Sequence, residues 1–202
     1  MDYVQNFFEG AKKILDKINI KQIDLLAHHL ENLRSSNGRL FIIGVGGSAA
    51  NCSHAVNDFR KICQIQAYAP TDNVAELTAR TNDEGWDITF SEWIACSQGN
   101  NNDAVLVFSV GGGNAKYNVS TNIVKAIDEA KLRNMKIFGI VGRDGGYTLE
   151  KGDCVVIIPT VFDELITPYS ESFQSIIWHC LTCHPKLSHN MNKWESIDNK
   201  ID

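Results

Sequence analysis

Apolar residues recur at helical spacing over residues 3–17, where Val4, Phe7, Phe8, Ala11, Ile14 and Leu15 form one stripe. Residues 20–34 repeat the texture with Ile23, Leu25, Leu26, His29, Leu30 and Leu33. The pattern predicts two leading helices with little between them. Such a pair cannot bury all its apolar surface alone, so it is expected to pack on the main domain or on another subunit. From residue 40 the texture changes. A short unbroken apolar run at 40–43 ends in Gly-Val-Gly-Gly, as a buried parallel strand entering a turn would. The alternation then continues with a helix over 48–62, a weak strand at 64–68, and helices across 73–80 and 86–97. A strong strand at 104–110, a helix over 120–133 and a strand at 136–141 come next. A Gly-rich turn, a strand at 154–158 and a last helix over 168–183 complete the pattern. Strands alternating with helices predict an α/β protein, a parallel sheet between helical layers. One domain is expected over 1–184, with residues 1–35 as its helical pair. The polar run 185–202 reads as an extended or poorly ordered tail.

Composition narrows the class. A net charge of −5 over 202 residues gives no domain-wide basic character for nucleic acid or an anionic membrane. The apolar runs fall far short of the roughly 20 residues of a membrane helix. The first residues lack the basic and apolar regions of a secretory leader. The six cysteines (52, 63, 96, 154, 180 and 183) are scattered through apolar or helical pattern rather than spaced as a disulfide framework. Buried thiols in a reducing, cytoplasmic setting are therefore expected.

In open parallel sheets ligands bind at the carboxyl ends of the strands. Three crossings there are rich in glycine: Gly44-Val45-Gly46-Gly47-Ser48-Ala49-Ala50, Ser109-Val110-Gly111-Gly112-Gly113-Asn114 and Gly142-Arg143-Asp144-Gly145-Gly146. Glycines let backbone amides approach an anion, and the helix dipole favours negative charge. Ser48 can cap the helix, donate to phosphate, or both, and the first string also reads as a plain tight turn with a cap. It fits G-x-G-x-x-A as well. No carboxylate stands at the end of the second strand before Asp72, however, and no Walker lysine comes after the glycines, which turns the reading away from nucleotides. Lys116 either adds charge to the second loop or faces solvent.

His54 and Asp58 lie four apart on one helix face, which suits a divalent metal, a proton-transfer pair or a surface ion pair. Glu171, Ser175 and His179 make a comparable row on the last helix. Glu171 is expected in its first turn, with Thr167-Pro168 as cap and first position. His179 falls in an apolar stretch, where a lone histidine also reads as a core residue. Cys180 and Cys183 flank a zinc-like spelling without a partner pair, and a helix is expected to turn both into the core.

Several of these segments together resemble a known family. They are residues 44–54, Thr81-Asn82-Asp83-Glu84-Gly85-Trp86-Asp87 with Phe90-Ser91, Val124-Lys125-Ala126-Ile127, residues 142–146 and the last helix. The chain is similar to the phosphoheptose isomerases (sedoheptulose 7-phosphate isomerases) of the sugar isomerase, or SIS, domain superfamily. The resemblance implies a flavodoxin-like three-layer α/β/α fold and a homotetramer whose leading helices help form the interface. It also implies aldose–ketose isomerisation of a seven-carbon sugar phosphate, by proton transfer between C1 and C2 through an enediol. By position, the family's zinc ligands fall on His54, Asp58, Glu171 and His179, with Asp58 as base and His179 as acid. Its substrate contacts fall on Gly46, Gly47, Ser48, Asn82, Asp83, Ser109, Gly111 and Glu171.

The chain also departs from the family pattern. Val45 stands for an asparagine, Asp58 for a glutamate, Glu171 for a glutamine and Pro168 for an acidic residue. The second loop loses two hydroxyls and carries about six extra residues within 113–121. Glu171 and His179 are eight residues apart, about 12 Å along a helix axis, so only extended side chains could share one ion. A reading of another class is a non-catalytic SIS module that binds a sugar phosphate or a protein partner. An enzyme for a different sugar phosphate lies between the two.

Overall fold

Five short runs of branched and aromatic residues pair into one parallel sheet. They are β1 (Arg39–Ile43), β2 (Gln66–Tyr68), β3 (Ala104–Ser109), β4 (Lys136–Val141) and β5 (Cys154–Ile157), in the spatial order β2-β1-β3-β4-β5. The computed structural model describes residues 2–197. In register, Ile43 lies beside Val107 of β3, and Ser109 lies beside Val141 of β4. Every residue of β3 is buried, because both faces of a central parallel strand are covered.

Side-chain alternation assigns the two faces. Leu40, Ile42, Leu106, Phe108, Phe138 and Ile140 pack against α1 (Tyr3–Lys17), α2 (Ile20–Ser35), α3 (Gly47–Lys61) and α8 (Ile166–Thr182). Phe41, Ile43, Val105, Val107, Ile137 and Val141 pack against α5 (Thr89–Cys96) and α6 (Thr121–Leu132). Leu77 of α4 (Val74–Asp83) and Tyr147 of α7 (Gly146–Lys151) close the edges of that second layer. This is the expected flavodoxin-like α/β/α architecture. Within the helical pair, Ile14, Leu26, Ala27, Leu30 and Leu33 enter the first core. The outer stripe of α1 stays uncovered, leaving Tyr3, Val4, Phe8 and Leu15 exposed.

Several local expectations are corrected. Helix α8 begins at Ile166, so Thr167 and Pro168 are its second and third residues and Glu171 lies in its second turn. Proline is tolerated there because first-turn amides have no intrahelical acceptor. The helix expected over 86–97 starts only at Thr89, after a turn in which Gly85 has φ +100°. The 142–146 turn runs on into α7, whose six residues are too few to show a helical period. Cys180 and Cys183 are exposed at the end of α8 rather than turned into the core, and Cys96 is exposed as well. The first part of the tail is not loose. Leu187 is fully buried, and the Arg34 guanidinium donates to the carbonyls of Lys186 and Leu187, each at 2.7 Å. A single leucine in a polar run carries no periodic signal, which is why the sequence hides this docking. Residues 198–202 of that tail lie outside the described residues. Among the described residues, no helix is long and apolar enough to cross a membrane.

Candidate active site

After β1 the chain enters α3 on one face of the sheet, and after β3 it reaches α6 on the other. Connections that diverge in this way leave a crevice at the carboxyl ends of the two strands. A cavity of about 370 Å³ opens there, and Val45, Ser48, Ser109, Gly111, Tyr117 and Arg143 are among its lining residues. Gly46, not Ser48, is the N-cap of α3. Ser48 is only 1% exposed, and its hydroxyl has no hydrogen-bond partner among the described residues. A buried orphan of this kind costs about 1–3 kcal/mol unless a ligand or water satisfies it. At Gly47 a Cβ would sit 2.5 Å from the Glu171 carboxylate, the far end of a flexible side chain that would have to swing aside.

The second loop is locked to the third. Ser109 Oγ accepts the Gly112 amide at 3.0 Å. Gly112 has φ +72°, and a Cβ there would meet the Gly145 carbonyl oxygen at 2.0 Å. Thr148 Oγ1 donates to the Gly112 carbonyl at 2.8 Å, and the Tyr147 amide donates to that of Gly113 at 2.9 Å. Helix α7 therefore anchors both loops as one unit. Beyond them, mutual backbone hydrogen bonds between Asn114 and Val119, at 2.9 and 3.0 Å, close a small loop that carries Tyr117 to the cavity. Lys116 is exposed, with its ammonium 5.3 Å from the Tyr117 ring centroid, so it faces solvent. The cation that lines the cavity is Arg143.

A polar seam runs between α3 and α8. Asn51 Nδ2 donates to the Glu171 carbonyl at 2.9 Å and to Gln174 Oε1 at 3.1 Å. Further along, His54, Asp58 and His179 bring one potential ligand atom each within 4.8 Å of one another. The Nε2 atoms of His54 and His179 lie 3.9 and 3.8 Å from Asp58 Oδ2. That is too long for a hydrogen bond. It is near the spacing of about 3.4 Å between donors bound at ~2.1 Å to one tetrahedral ion. Asp58 Oδ1 accepts from Asn57 Nδ2 at 2.7 Å.

The ring of His179 is held in a defined state. Its Nδ1 lies 2.8 Å from the Ser175 carbonyl, which can only accept, so Nδ1 carries the hydrogen and Nε2 faces Asp58. An outer hydrogen bond of this type orients metal-binding imidazoles. Trp178 stacks on His179 with centroids 3.5 Å apart and meets the His54 ring edge-on at 4.6 Å. Two imidazoles and one carboxylate, partly open to solvent, suit a divalent ion with a free coordination position. The neighbouring thiols do not compete: burial pushes Cys52 well up and Cys63 to about 12, so neither supplies a thiolate at neutral pH.

The predicted residues thus fall into two groups with outliers. Ser48, Ser109 and Gly111 line the crevice, and Gly46 and Gly47 form the cap and first residue of α3 just before Ser48. His54, Asp58 and His179 gather on the seam. Glu171 belongs to neither group; its carboxylate lies over Gly47, and the group of three does not include it. Asn82 and Asp83 are exposed at the end of α4, bonded to each other at 2.7 Å, and do not line the cavity. Sequence reasoning did not single out Arg143, Asn51, Gln174 or Trp178. Arg143 stood in plain view inside the third glycine-rich crossing. The other three acquire meaning only when α3 and α8 pack together.

A family profile described as SIS domain matches residues 3–142. The chain belongs to the SIS domain family. A phosphoheptose isomerase from Helicobacter pylori is 29% identical, over 89% of this chain and 92% of the relative. Another, from Neisseria gonorrhoeae, is 30% identical over 68% of this chain and 67% of its own length. The solved phosphoheptose isomerase of Neisseria gonorrhoeae superimposes on this SIS domain with a TM-score of 0.77 at 25% identity, covering 89% of this chain and 94% of that one. The expected kinship with phosphoheptose isomerases of the SIS superfamily is borne out.

Proposed function

We propose that the protein is an aldose–ketose isomerase that converts sedoheptulose 7-phosphate to an aldoheptose 7-phosphate through an enediol. The observation that carries this reading is the pairing of an amide-rich crevice, with the orphan Ser48 hydroxyl, to the His54–Asp58–His179 group along one seam. The distances suit such a substrate. From Ser48 to His54 and Asp58 the rise along α3 is about 9 and 15 Å. An extended seven-carbon chain ending in phosphate spans about 10 Å, given C–C bonds near 1.5 Å. Phosphate bound at Ser48 leaves the carbonyl end within reach of the seam.

In the proposed reaction the Asp58 carboxylate takes a proton from C1 of the ketose, while O2 receives one from His179, giving the enediol. The proton on O1 then returns to His179, and Asp58 delivers its proton to C2, giving the aldose. Because Nδ1 of His179 is committed to Ser175, the transfer uses Nε2. That nitrogen cannot hold a proton and an ion together, so the acid and ligand roles of His179 are alternatives. Zinc held by His54, Asp58 and His179 would supply a Lewis acid for the carbonyl oxygen and the enediolate charge. Glu171, over Gly47, is assigned to the sugar hydroxyls between the two groups.

The uncovered stripe of Tyr3, Val4, Phe8 and Leu15 supports a homotetramer built through the leading helices. The six unpaired cysteines support a cytoplasmic setting. Incubating purified protein with sedoheptulose 7-phosphate and measuring the aldose tests the activity. Absence of turnover, with and without added zinc, rejects it.

A further inference from the structure

We propose that Arg143 is the specificity residue of the crevice: its guanidinium takes the phosphate of the bound sugar and selects phosphorylated over free sugar. The identity of the ligand rests on the isomerase reading; the choice of residue rests on the cavity itself. The donors of the crevice are backbone amides and the neutral side chains of Ser48, Ser109, Asn114, Tyr117 and Ser120, none of which carries charge. Val45 and Val110 are apolar, and the Ser109 oxygen accepts the Gly112 amide, which leaves its hydroxyl hydrogen free for a ligand. Ser48 offers one unpartnered hydroxyl, which does not balance a dianion. Arg143 is the sole lysine or arginine among the residues that line the cavity.

Its side chain is also uncommitted. The chain has six arginines, at 34, 39, 60, 80, 133 and 143. Five of them donate to carbonyls or carboxylates of the protein. Arg143 has no hydrogen bond or ion pair among the described residues. Its backbone takes φ +51°, a left-handed conformation that costs a non-glycine residue about 1 kcal/mol. The stem passes over Gly111, where an added Cβ would lie 3.2 Å from Arg143 Cδ. Glycine at 111 therefore leaves room for the arginine to lie across the loop. Asp144 also lines the cavity, and its Oδ1 accepts the Gly146 amide at 3.2 Å. A phosphate entering beside that carboxylate needs a compensating cation, and a planar guanidinium can engage two phosphate oxygens at once.

The test uses the full chain and its R143Q and R143K variants, titrated calorimetrically with inorganic phosphate, sedoheptulose 7-phosphate and sedoheptulose. R143Q is expected to weaken both phosphorylated ligands by about 10- to 100-fold, the size of a charged hydrogen bond. KM should rise by a similar factor with kcat nearly unchanged, as for lost uniform binding. Free sedoheptulose should be unaffected, and R143K should restore most of the loss. The melting temperature of R143Q should match the parent, since Arg143 bonds to no protein group. Phosphate and substrate affinities equal to those of the parent in R143Q would overturn the proposal. A parent that binds sedoheptulose 7-phosphate without turnover, with binding lost in R143Q, keeps the role of Arg143 and sinks the isomerase reading. Turnover with KM unchanged in R143Q does the reverse. A parent that binds neither phosphate nor sugar phosphate overturns both.

Discussion

The crevice and the seam are built from opposite materials. The crevice is mostly main chain, delivered by three strand ends and held by α7, and at Gly112 the Gly145 carbonyl leaves no room for a side chain. The seam is side chain on two helices, with the His54 side chain 58% exposed and the Asp58 side chain 11%. The lesson concerns what each part can tolerate. A backbone cradle borrows rigidity from the sheet, so substitutions at its glycines register as instability. A helix-borne group keeps its fold when its chemistry changes, so its substitutions register as lost reaction.

Asp58→Asn makes the strongest test of that contrast. It removes the proposed base and should lower kcat by about 10³-fold, within the usual range for general acid–base groups. Its melting temperature should fall little, because the amide can still meet Asn57. Substantial activity in this variant would move the base elsewhere.

Gly112→Ala should do the opposite. The added Cβ meets the Gly145 carbonyl at 2.0 Å in a φ +72° conformation, so about 3 kcal/mol of stability should be lost, read by chemical denaturation. A stability equal to the parent would show that the loops are not locked together.

Zinc added to chelated protein should stabilise it by about 2.7 kcal/mol at a hundredfold excess over Kd. Asp58→Asn should abolish that gain, and a melting curve indifferent to zinc would leave the triad without an ion. The smallest effect is expected from Ser48→Ala. Loss of one neutral hydroxyl should weaken phosphate binding by about 1 kcal/mol, while stability holds or rises because a buried orphan disappears. Unchanged phosphate affinity would take Ser48 out of the cradle.

Much of this arrangement was legible in the residues themselves. The unbroken apolar runs marked the strands, and the stripe of α1 announced both its buried side, with Ile14, and its uncovered side, with Phe8. The i, i+4 spacing of His54 and Asp58 placed two of the three seam ligands on one face. Other parts carried no local signal. Leu187 docks as a single residue, α7 is shorter than a readable period, and Trp178 looked like ordinary core until its ring met two histidines. Glu171 was displaced from expectation by helix geometry: eight residues from His179 along α8, its carboxylate came to rest over Gly47.

By itself the sequence determined the α/β class, the glycine-rich strand ends and the kinship with phosphoheptose isomerases. Each depends on short-range pattern: hydrophobic period, backbone freedom and local spacing. Only the tertiary structure decided that Arg143 rather than Lys116 lines the cavity, and that His179 joins His54 and Asp58 while Glu171 does not. Those outcomes turn on the directions of side chains brought together by packing from distant parts of the chain, which no local period encodes.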